Sequence, residues 1–89
     1  MTLKFPNQCR SFETAKKCIR FWGYDSIVEI TFFIEPNAIA KLFPKAGSDE
    51  KTLLHGFDQT VDRIHQVARR MYEQNRIHSC VYVLTANDF

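Results

Sequence analysis

Two neighbouring stretches of the chain alternate apolar and polar residues with a period of two. From Cys18 to Tyr24, Ile19 and Phe21 fall on one side and Arg20, Trp22 and Tyr24 on the other. From Ile27 to Ile34, Val28, Ile30, Phe32 and Ile34 oppose Glu29, Thr31 and Phe33. Successive side chains of an extended strand point to opposite faces, so both stretches read as β-strands. Asp25-Ser26 between them supplies turn chemistry, and the pair predicts a hairpin. A turn centred on that dipeptide sets Phe21 against Ile30, Ile19 against Phe32 and Trp22 against Glu29, which keeps like faces together.

The period then lengthens. Pro36 suits the first turn of a helix, where its missing N–H is no loss, so Pro36 to Phe43 predicts a short helix stopped by Pro44 and followed by the loop Lys45-Ala46-Gly47. Ser48 is a suitable N-cap, and Asp49 and Glu50 complement the positive end of a second helix running to about Asn75. Leu53, Leu54, Phe57, Val61, Ile64, Ala68, Met71 and Tyr72 recur every three or four residues as one apolar stripe, with Gln59, Asp62, Arg63, Gln66, Arg70 and Glu73 opposite. Such a helix would be about 40 Å long in a globule about 30 Å across, so either Gly56 bends it or one end protrudes.

Ser79 to Leu84, rich in Val and Tyr, predicts a third strand, and Thr85 to Phe89 form a tail. Met1 to Phe12 carries Leu3 and Phe5 ahead of a Pro6-Asn7 turn signal, and reads as either an edge strand or a cover across the core. The expected architecture is a single α+β domain over residues 1–89. It has a small, largely antiparallel three-stranded sheet, ordered as β-hairpin, short helix, long helix and C-terminal strand, with the helices packed on one face.

Composition narrows the class. With 89 residues, 45% of them apolar and 13% aromatic, the chain has material for one modest core and too much of it to stay disordered. The longest uncharged apolar run, Ile30 to Ile34, falls far short of the roughly 20 residues that cross a bilayer, and no signal-peptide h-region is visible. A soluble, cytoplasmic protein is expected. Three cysteines, Cys9, Cys18 and Cys80, form no even framework and read as free thiols in a reducing compartment. A net charge of +2 is no nucleic-acid signature.

The order and spacing of several stretches carry a resemblance: Leu3-Lys4-Phe5-Pro6, Ile19-Arg20-Phe21, Val28-Glu29-Ile30, the Ile39 helix, Phe57 with Arg63-Ile64, Ala68 and Tyr72, and Thr85-Ala86-Asn87-Asp88-Phe89. In these the chain resembles the bacterial family known as domain of unknown function 1488. The resemblance implies an α+β fold of two strands, helices and one strand, and a bacterial source; it implies no activity. Members often have a glycine before the last strand, where this chain has His78-Ser79.

Candidate chemistry is sparse. His55, Asp58, Asp62 and His65 fall within about 80° of one another on the long helix, a spacing that metal ligands use. That arc is the solvent side, where polar residues belong anyway, and Arg69 intrudes a cation, so no metal site and no cofactor is assigned. Cys9, Cys18 or Cys80 with a histidine would make a small enzyme only if the fold brought them together. Cys18 and Cys80 lie in predicted strands, where free cysteine is mostly a small buried hydrophobe, and no catalytic motif is present, so the reading leans against an enzyme.

Arg63, Arg69, Arg70 and Arg76, with Arg20 on the first strand, are the candidates for an accessory role on nucleic acid. Asp62, Glu73 and Glu29 interleave with them, which disfavours it. The most informative feature is the second face of the hairpin. Trp22, Tyr24 and Phe33 point away from the core beside Arg20, and Tyr82 joins them if Val81 and Val83 face inward. Either Leu3 and Phe5 cover this face, or it is the contact surface of a non-enzymatic interaction module that binds itself as a homodimer or another protein.

Overall fold

The computed structural model describes residues 3–6, 10–47, 49–74 and 79–89. Five strands form one sheet: β1 (Leu3–Lys4), β2 (Arg10–Glu13), β3 (Cys18–Asp25), β4 (Val28–Ile34) and β5 (Val81–Leu84). Three helices accompany it, α1 (Pro36–Leu42), α2 (Glu50–Gln59) and α3 (Val61–Gln74), with a 3-10 turn at Ala86–Asp88. The fold is α+β, as the alternation of periods predicts. The sheet is mixed and larger than the expected three strands, because the N-terminal segment supplies two more.

The order is β1-β3-β4-β5, with β2 also pairing β3. Both N-terminal strands lie antiparallel along the edge of β3 that β4 leaves open, β1 at its Tyr24–Asp25 end and β2 along Cys18 to Phe21. The β2–β3 turn places Lys17 at a positive φ of 52°. β5 runs parallel to β4, setting Phe32 beside Tyr82 and Ile34 beside Leu84. A parallel neighbour needs a crossover, and the three helices provide it.

The hairpin exists, but its register is offset by two residues from the expected one. Phe21 pairs with Phe32, Ile19 with Ile34 and Trp22 with Thr31, and the turn is Ser26-Ile27. Ser26 has φ 58°, the positive value that primed hairpin turns place at their first loop residue. A shift of two leaves every side chain on its predicted face, so the hydrophobic pattern alone cannot detect it.

One core fills the space between the sheet and the helices. Ile19, Phe21, Ile30, Phe32, Ile34 and Leu84 from the sheet meet Ile39, Leu53, Phe57, Ile64 and Val67 from the helices. Leu3 is buried in the same cluster, and Phe5 packs against it. The N-terminal segment therefore packs onto the helix side of the sheet.

The single long helix is two helices. Thr60, at φ −123° and ψ 17°, ends α2, and its hydroxyl donates to the Gly56 carbonyl at 2.8 Å. Its own carbonyl accepts from the Ile64 N–H and starts α3. Folding the stripe in two fits it into a molecule whose longest dimension is 35 Å. Gly56 does not bend the chain; it is a close-packing site, where a Cβ would come within 2.9 Å of the Ile39 side chain. Asp49 caps α2 by accepting from the Thr52 N–H; the Ser48 cap and the Asn75 end of the predicted helix lie outside the described residues.

The tail is ordered chemistry. The Asp88 carboxylate accepts from the Thr85 N–H at 2.7 Å while the Thr85 hydroxyl accepts from the Asn87 N–H, a reciprocal capping box. Lys41 donates to the Ala86 and Phe89 carbonyls, and Arg70 to that of Asp88. The Thr85-Ala86-Asn87-Asp88-Phe89 stretch thus fastens α1 and α3 to the end of β5.

Candidate functional site

Among the described residues, helices cover one face of the sheet, and strand parity decides which side chains reach the other. Cys18, Arg20, Trp22 and Tyr24 alternate outward along β3, and Glu29, Thr31 and Phe33 along β4. Across the strands they form rows: Trp22, Thr31 and Val81 in one, Arg20, Phe33 and Val83 in the next, Tyr24 and Glu29 beyond. Trp22, Tyr24 and Phe33 are half-buried, while Val81 and Val83 are 52% and 49% exposed.

Tyr82 does not belong to this face. It is 6% exposed on the core side, its ring 5.4 Å from Phe32 and 6.0 Å from Tyr72. Val81 and Val83 take the outer positions instead, which reverses the expected parity of β5. Every residue of Val81–Leu84 is apolar or aromatic, so its sequence carried no contrast from which to assign faces.

The aromatic rings owe their partial cover to cations of the same face. The Arg20 guanidinium lies 4.6 Å from the Trp22 ring centroid and the Lys16 ammonium 4.1 Å from that of Phe33. Such contacts use the negative ring face, and at exposed sites each contributes about 0.5–1 kcal/mol. Arg20 also stands 3.6 Å from Glu29. At the end of the face beside α1 the surface sinks into a cavity of about 490 Å³. Lys16, Cys18, Phe33, Glu35, Asn37 and Val83 line it.

Cys18 is buried, as expected of a free strand cysteine, yet its parity with Arg20 and Trp22 places it at this cavity. Burial pushes its thiol pKa up; the Lys16 charge acts in the opposite direction, and Glu13 and Glu35 add to the rise. A thiol held protonated is a poor nucleophile. Cys80 is free and exposed, and Cys9 and His78 lie outside the described residues.

The four-residue helix arc does not form a site. The Asp58 carboxylate accepts from Nε and Nη2 of Arg10, each at 2.8 Å. His65 is turned into the core, 7% exposed, while His55 is on the surface against Phe43. Among the described residues, no group of three or more His, Cys, Asp and Glu side chains is arranged to hold a metal ion. The helix arginines are largely committed: Arg63 donates to Gln66, Arg69 to the Leu3 carbonyl and Arg70 to the Asp88 carbonyl. Arg76 lies outside the described residues.

The alternation along the strands assigns Arg20, Trp22, Tyr24 and Phe33 to the outer face, where the structure has them; it does not reveal Lys16, Glu35, Val81 and Val83 beside them. Glu35 follows β4 with the parity of Phe33, a signal that was available; Lys16 sits in a turn, where no periodicity operates. Among the described residues no helix is long and apolar enough to cross a membrane.

Searches of the curated proteins and of the solved structures return no match to the chain. The model of one protein family, described as protein of unknown function (DUF1488), matches residues 3–84. That span includes the five strands and three helices of the described residues, with the cavity lining and Trp22, Tyr24 and Phe33 of the outer face. The chain is a member of the DUF1488 family.

Proposed function

We propose that the protein is a non-enzymatic interaction module whose helix-free sheet face docks a second copy of the same chain. The observation that carries this reading is the pair of rows Trp22-Thr31-Val81 and Arg20-Phe33-Val83, apolar or aromatic at most positions, on the side no helix covers. Covering an aromatic or aliphatic side chain contributes about 1.5–3 kcal/mol, so several together drive association. The internal alternative loses support because Leu3 and Phe5 pack into the opposite side.

Charge argues for a like partner. The face carries Lys16 and Arg20 together with Glu13 and Glu29, in near balance. A two-fold contact must be complementary to itself, which a balanced surface can be and a single-sign surface cannot. Nucleic acid would need the single sign. A reducing, cytoplasmic setting accompanies this reading, since Cys18 and Cys80 are both free.

Light scattering over a concentration series tests it. The wild type should run as a dimer at micromolar concentration, and Trp22→Glu combined with Val81→Glu should run as a folded monomer by circular dichroism. A wild type that stays monomeric up to about 1 mM, where association would be worth only about 4 kcal/mol, overturns the reading.

A further inference from the structure

The cavity at the α1 end of the sheet adds Cys18, Glu35, Pro36 and Asn37 to Lys16, Phe33 and Val83 of the outer face. Its volume of about 490 Å³ falls among those of small-molecule sites, about 300–1,000 Å³. Its walls are apolar where Phe33, Pro36 and Val83 contribute, and its rim carries one cation, Lys16, and one carboxylate, Glu35. Among the described residues neither is in an ion pair; the two pairs are Arg10 with Asp58 and Arg20 with Glu29. Both charges nevertheless act on the same thiol, that of Cys18. The opening beside Lys4 and Tyr24 differs, because its carboxylate, Asp25, already accepts from Tyr72 at 2.6 Å.

Two opposite charges that line one partly apolar cavity without pairing with each other select for a ligand that carries both. An anion alone would meet Glu35, and a cation alone would meet Lys16. We propose that the cavity binds a free α-amino acid with an apolar side chain, its carboxylate toward Lys16, its ammonium toward Glu35 and its side chain against Phe33, Pro36 and Val83.

The test is a titration of the ¹⁵N-labelled full chain with L-leucine, L-leucinamide and N-acetyl-L-leucine, followed by amide chemical shifts. Leucine should move the amides of Lys16, Cys18, Glu35, Asn37 and Val83 saturably. Leucinamide, lacking the carboxylate, and N-acetyl-leucine, lacking the ammonium, should bind about tenfold more weakly, the equivalent of one charge-assisted hydrogen bond. Glu35→Gln should weaken leucine about tenfold and strengthen N-acetyl-leucine relative to wild type, and Lys16→Gln should do the mirror image with leucinamide. Both residues are exposed, so the variants fold.

Absence of shifts at these amides, equal binding of all three ligands, or variants that leave the preference unchanged would each overturn the proposal. The cavity shares Phe33 and Val83 with the docking rows, so the titration is repeated on the Trp22→Glu, Val81→Glu variant: leucine shifts there support the amino-acid site whatever the oligomeric state of the wild type, and their absence overturns it.

Discussion

The His65 imidazole lies flat on the Phe5 ring, with centroids 3.9 Å apart and planes 6° from parallel. The contact joins the N-terminal segment to α3, and Arg69 reinforces it by donating to the Leu3 carbonyl at 3.2 Å with its guanidinium 5.1 Å from the Phe5 ring centroid. Burial first, with the Arg69 charge acting in the same direction and Asp62 opposing, lowers the His65 pKa to about 4.

That depressed value sets an acid sensitivity. Below its unfolded pKa of about 6.5, the unfolded chain binds a proton at His65 that the folded chain refuses. Stability should therefore fall as pH drops from about 6.5 to about 4, by about 3 kcal/mol from this residue alone. Urea unfolding of wild type and His65→Phe at several pH values checks it: Phe keeps the stack and removes the proton, so the difference between the two should grow toward low pH.

Gly56→Ala should destabilise the fold although alanine favours helix by about 1 kcal/mol. The new Cβ would stand 2.9 Å from Ile39 Cγ2 and 3.3 Å from both Ala46 Cβ and Phe43 Cδ2. Ile39 is fully buried and has nowhere to move. Overpacking of this kind costs about 1–3 kcal/mol, so the urea midpoint should fall rather than rise.

Tyr72 donates its phenol to the Asp25 carboxylate at 2.6 Å, tying α3 to the hairpin end of β3. That hydrogen bond, with burial and the Asp25 charge, pushes the Tyr72 pKa up to about 12. A raised pKa means that the folded state holds the proton longer, so this contribution is intact below about pH 10 and is lost above it. A spectrophotometric titration should show one late-ionising tyrosine that Tyr72→Phe removes. The same substitution should cost about 1–3 kcal/mol at neutral pH.

Asp88→Ala should remove the acceptor that the Thr85 N–H uses and lower stability by about 1 kcal/mol, the usual cost of losing a helix cap. Self-association should be unchanged, because no residue of the two outer rows belongs to this turn. An effect on it would assign this end of the chain a role beyond holding α1 and α3.

What the sequence disclosed follows from where polar contrast exists. In β3 and β4, Arg20, Glu29 and Thr31 interrupt the apolar residues, so the faces were legible even though the register was off by two. β5 has no such interruption, and Tyr82 was placed on the wrong side. The break at Thr60 was invisible because the apolar stripe continues through it; the pattern pointed to Gly56, whose role depends on a neighbouring helix. His65 looked like part of a solvent-facing arc because the segment that buries it, at Phe5, is remote in sequence. β2 offered one apolar residue, Phe12, between Ser11 and Glu13, too little to declare a strand. The cavity could not be read at all, since Lys16 and Glu35 meet there only through the pairing of β3 with β4.

The parallel pairing of β4 with β5 has a consequence for synthesis on the ribosome. β4 emerges early, but its second hydrogen-bonding edge stays vacant until the three helices have been made and β5 follows them out of the exit tunnel. Pairings so distant along the chain form slowly, and a bare strand edge is a template for any extended peptide nearby. In that interval the open edge of β4 is exposed to pairing with an extended segment of another molecule.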